Sequence, residues 1–128
     1  MNYFHNRIYN DNFENTEAKI TEALKERGFG IITSVDVTNT FKEKLNKDFR
    51  KYKILGACNP ENAYKAINVE DKIGLMLPCN VVVQEKGDNQ TEIAAVDPVA
   101  SMQAVDNDGL TPIAENIRDT LKEAIDAV

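Results

Sequence analysis

Three times in this sequence a good helix-capping side chain is followed directly by proline: Asn59-Pro60, Asp97-Pro98 and Thr111-Pro112. The proline ring presets a helical φ, and its missing N–H costs nothing in the first turn, where that group has no partner. Each step therefore marks a helix start. Two of them follow directly on runs of strand character, Tyr52 to Ala57 and Thr91 to Val96. The helix opened at Thr111-Pro112 carries Ile113, Ile117, Leu121, Ile125 and Val128 on one stripe, so it must lie on a sheet.

The remaining elements follow from hydrophobic period. Tyr3 to Tyr9 alternates, with Phe4 and Ile8 on one side and His5 and Arg7 on the other. Phe13, Ile20 and Leu24 share a helical face that stops at Gly28. Phe29, Ile31, Thr33, Val35 and Val37 alternate as a second strand. A short helix comes next, with Thr40 and Glu43 at capping-box spacing and Phe41 stacked over Leu45. Val81 to Glu85 and Thr91 to Val96 flank Lys86 to Gln90, which reads as a hairpin turn. Met76 and Met102 read as core filler.

This pattern predicts one domain over residues 1–128. Its expected fold is an α+β two-layer sandwich on a mixed five-stranded sheet with packed helices. One feature resists a single helical layer. Ile54 and Leu55 point to opposite faces, and Val82 points opposite to Val81 and Val83. Either helices cross to the second face or a second subunit covers it, and the expectation is a homodimer.

Composition removes several classes. A net charge of −6 argues against nucleic acid as the main partner. No apolar run is long enough for a membrane span, and MNYFHNRIYND lacks the apolar core of a secretory signal, so the expected location is cytoplasmic. Six cations crowd Lys42 to Lys53, while the chain from Asp88 onward is acidic. They read as solvated faces of opposite sign, with docking of one on the other as the alternative.

The chemistry-bearing residues concentrate in two matched contexts, LGACNP and LMLPCN, which place Cys58-Asn59 and Cys79-Asn80. Cys58 stands just before a helix N-terminus, whose free N–H groups favour thiolate. Cys79 has no such activation. Asn59 reads as the helix cap and Pro60 as its first residue, with a minority reading in which that helix end meets an anion. Asn80 has no cap role and offers both donor and acceptor. One histidine and no Cys-x-x-Cys leave no metal centre or dithiol motif.

The stretch KILGACNPENAYKAI, together with IGLMLPCNVVVQE, Gly28-Phe29, DFRKYKILGACNP and the VDP step at Val96 to Pro98, resembles the bacterial and archaeal family known as domain of unknown function 302. The resemblance implies a compact, self-associating α/β domain and carries over no activity and no catalytic residue.

The resulting expectation is a non-catalytic, dimeric small-ligand-binding module. Its pocket is lined by Cys58, Asn59, Pro60, Cys79 and Asn80 and takes a small polar or anionic ligand. A thiol enzyme or redox sensor using Cys58, and a purely structural domain, are the alternatives. The two thiols meet only if their strands run antiparallel.

Overall fold

The computed structural model describes residues 2–128. Five strands, β1 (Phe4–Tyr9), β2 (Gly30–Asp36), β3 (Tyr52–Cys58), β4 (Cys79–Gly87) and β5 (Gln90–Val96), form one sheet in the order β1-β5-β4-β3-β2. Every neighbouring pair is antiparallel, which corrects the expected mixed sheet. The α+β architecture itself holds. The reason for the correction is local: the helix opened at Asn59 packs in the helical layer, and the chain returns beside β3 in the opposite direction.

The helices are α1 (Phe13–Lys25), α2 (Val37–Leu45), α3 (Pro60–Val69), α4 (Pro98–Ser101) and α5 (Thr111–Asp126). Asn59 and Asp97 cap α3 and α4, each accepting backbone N–H groups of the first turn. At α5 the proline stands in the first turn, but Leu110 occupies the cap position without a side-chain bond. Gly28, at φ +82°, closes the connection after α1, a conformation that favours glycine. The second helix starts earlier than its sequence suggested. Asp36, not Thr40, is the cap, accepting from Asn39 N–H at 2.9 Å. Phe41 meets Phe49 edge-on rather than stacking on Leu45, which is exposed.

The core lies between one sheet face and the pair α1 and α5. Leu55, Val81, Val83 and Ile93 meet Ile20, Leu24, Leu121 and Ile125 there, all essentially solvent-free. Of the α5 stripe, Ile117, Leu121 and Ile125 are buried, and Ile113 and Val128 at its ends are partly buried. A smaller cluster around Ile73, Met102 and Leu110 lies at one end of the domain. Met76, in contrast to Met102, is exposed.

Two strands depart from simple alternation. A bulge between Ile31 and Thr33 shifts the register of β2 against β3. Ile31 therefore faces the core, opposite Ala57, while Thr33 and Val35 stand beside Gly56 and Ile54 on the other side. On β1 the apolar side, Phe4 and Ile8, shares the face of Val96 and Glu92, away from the helices. Its polar side turns to α5, where Arg7 Nε donates to Asp126 at 2.6 Å and His5 meets the same oxygen at 2.9 Å.

Candidate functional site

The antiparallel β3–β4 pair brings both Cys-Asn steps to one end of the sheet. Ala57 lies opposite Cys79, and Gly56 lies opposite Asn80, so Cys58 is one residue from Cys79's partner. Alternation then separates the side chains. Cys79 points into the core and is 4% exposed, whereas Asn80 points outward and is exposed. Cys58 is half-buried and lies on the side opposite Cys79. Burial, with a smaller contribution from neighbouring Cys58, pushes the Cys79 thiol up to about 11. At neutral pH Cys79 is a protonated, apolar-like wall of the core.

The two asparagines have different surroundings. Asn59 caps α3 through Asn62 N–H at 2.9 Å, and its amide donates to Gly28 carbonyl oxygen at 3.2 Å. It ties the start of α3 to the turn after α1 and lines a cleft between α3 and α5. Pro60 fixes the first turn of the same helix. The Asn80 side chain makes no protein hydrogen bond among the described residues, and it lines a different cleft on the outer face of the sheet.

That outer face is the largest feature sequence reasoning did not resolve. Three rows of side chains cross it, centred on β4. The first runs Ile8, Glu92, Gln84, Tyr52; the second Asn6, Ala94, Val82, Ile54, Val35. The third runs Phe4, Val96, Asn80, Gly56, Thr33, with Val96 placed beside Asn80 by the Val81–Ala95 register. Ile8 and Val35 at the margins are 52% and 48% exposed. A trough of about 410 Å³ lies among Phe4, Tyr52, Asn80, Val82 and Ala94. The signal was present in the sequence as apolar residues on both sides of β3 and β4, but the position of the polar groups was not.

Those polar groups form a chain. Arg50 Nε donates to Gln84 at 3.0 Å, Gln84 donates to Glu92 at 2.9 Å, and Asn6 donates to the other Glu92 oxygen at 2.9 Å. Arg50 is also held over the Phe49 ring at 4.4 Å and near the Tyr52 ring at 5.6 Å. Of the four arginines, it alone has no carboxylate partner among the described residues.

The remaining basic stretch is largely neutralised within the chain. Lys51 meets Glu14 at 2.6 Å, Lys53 meets Glu17 at 3.0 Å, and Lys42 meets Asp48 at 3.2 Å. The partners come from α1 and the stretch itself, not from the acidic C-terminal third. Among the described residues, no three His, Cys, Asp or Glu side chains are grouped to hold a metal ion, and no helix is long and apolar enough to cross a membrane.

A crystal structure of an uncharacterized conserved protein DUF302 from Bacillus stearothermophilus superimposes with a TM-score of 0.90 at 28% identity. The alignment covers 98% of this chain and 97% of that one. No curated protein matches the sequence. The family model for the domain of unknown function DUF302 matches residues 5–128. With the fold shared over that whole length, the chain belongs to the DUF302 family.

Proposed function

We propose that this domain is a non-catalytic binding module. It pairs with a second copy through the outer sheet face and holds a small polar or anionic ligand beside Asn80. The observation that carries the reading is the uncovered row of Val82, Ala94 and Ile54 at the centre of the sheet. α1, α3, α4 and α5 all pack in the helical layer on the opposite side. An apolar strip on a sheet face, bordered by polar groups that already satisfy one another, is the composition of an interface centre with its rim.

Within the Cys-Asn end of the sheet, the roles divide. Asn59 and Pro60 build α3, and Cys79 fills the core. Asn80 and Cys58 remain as the groups free to meet a ligand. Asn80 supplies an unspent donor and acceptor in a partly apolar trough, where a hydrogen bond counts for more than in open water.

Native mass spectrometry of the purified protein tests the ligand half of this reading. The expected result is a small molecule retained by the wild type and lost from Asn80→Ala, with unchanged circular dichroism. Retention in Asn80→Ala and loss in Cys58→Ser would transfer the function to the thiol. A bare polypeptide mass in every variant would leave the domain as a structural module.

A further inference from the structure

Building on the dimer reading above, we infer that the two copies pack face to face about a two-fold axis running along β4, so that Arg50 of each subunit meets Glu92 of the other. The order of groups along the three rows selects this axis. A rotation about an axis parallel to the central strand keeps each row at its own height and reverses it from side to side. Residues on β4 then meet themselves, and residues of β3 meet residues of β5.

Applied to the first row, this operation sets Tyr52, with Arg50 stacked beside it, over the partner's Glu92. The row is charged positively at its β3 end and negatively at its β5 end, with Gln84 between them. It is complementary to its own reversed copy. The two-fold creates two such pairs per interface, each with a guanidinium already held in place by Phe49 and Gln84. Arg50, the one arginine lacking a carboxylate among the described residues, gains one.

The second and third rows agree. Ile54 comes over the partner's Ala94, a large side chain against a small one, and Val82 meets Val82 of the partner subunit on the axis. Asn80 comes to the same height as the partner's Asn80, so the two amides border one trough and both remain open to the small ligand proposed there. An axis running across the strands instead would exchange the first row with the third. It would press Glu92 onto Val96 and Gln84 onto Asn80, removing a carboxylate from water against an apolar side chain. Aligned packing of two sheets with strands nearly parallel is a common geometry for such faces.

Mixing two charge variants of the full chain tests this arrangement. Arg50→Glu places like charges at both contacts of its homodimer, and so does Glu92→Arg; each should weaken self-association about tenfold or more. Mixed together, one chain supplies two acids and the other two bases, so native mass spectrometry should find the heterodimer well above its statistical half share. The double variant R50E/E92R should regain the homodimer, with circular dichroism confirming the fold throughout. Dimers that mix statistically, with single variants as tight as wild type, would overturn the axis and move the self-association off the outer sheet face. That outcome would point to another surface, such as the apolar one around Tyr64 and Leu75, which are 74% and 84% exposed. A monomeric wild type would remove both claims.

Discussion

Arg7 Nε on β1 donates to Asp126 Oδ1 on α5 at 2.6 Å, joining an edge strand to the last turn of the final helix. A carboxylate there is opposed by the helix dipole, and the His5 imidazole at 2.9 Å and the Arg7 guanidinium offset that cost. Together, His5 first and Arg7 second, they hold the Asp126 carboxyl below its usual value. The stability linked to it is present above the unfolded carboxylate value and is lost as pH falls through the lower folded one. Arg7→Ala should therefore be less stable than wild type at neutral pH, with the gap closing in acid. Urea unfolding at a series of pH values checks this; a gap independent of pH would contradict it.

Cys79 titrates in the opposite direction. Its thiol is raised from 9.0 to about 11, so its contribution is complete below the unfolded value and disappears as pH rises towards the folded one. Wild type should lose on the order of 2 kcal/mol between those limits, beyond whatever the rest of the chain loses. Cys79→Ala should be weaker at neutral pH by about 1–2 kcal/mol and lack that alkaline decline. Thiol labelling of the native protein should leave Cys79 unmodified until the chain unfolds.

Asn59 separates a structural role from a ligand role. Asn59→Ala removes both the α3 cap and the bond to Gly28, at a cost of about 1–2 kcal/mol. Asn59→Asp keeps an oxygen for Asn62 N–H and loses only the donor to Gly28, so its stability should fall between the other two. Equal stability of all three in thermal melts would mean that Asn59 does not hold α3.

Much of this was legible in the sequence because it is local. The Asn59-Pro60 and Asp97-Pro98 steps start helices where they predict, and the Ile117, Leu121, Ile125 stripe is buried. Non-local choices were not legible. Nothing in the alternation of Phe29 to Val37 reveals the bulge at Ile32, which sends Thr33 and Val35 to the outer face. The alternation of Phe4 and Ile8 with His5 and Arg7 did not say which side meets the helices; the strand turns His5, Arg7 and Tyr9 to α5, where the Tyr9 hydroxyl reaches Ile125 and Asp126 accepts from Arg7. The two Cys-Asn steps do share one end of the sheet, but strand alternation puts Cys79 and Asn80 on opposite faces, which no spacing argument had separated.

Gly56 reports on the outer face directly. A Cβ there would overlap the Thr33 hydroxyl and lie 2.7 Å from Pro78 Cγ. Gly56→Ala should cost about 1–3 kcal/mol, and adding Thr33→Ala should recover part of it. Denaturant midpoints of the single and double variants decide the matter; no recovery would mean that Thr33 is not the obstacle.

The proposed pairing of two copies through the outer sheet face fixes the mass expected in solution. Sedimentation velocity across a micromolar dilution series tests it most directly, comparing wild type with Val82→Lys, which places a charge at the centre of that face. A species of twice 14.3 kDa is expected for the wild type, and one of 14.3 kDa for a variant of unchanged circular dichroism. A wild type that sediments at 14.3 kDa across the whole series would contradict it.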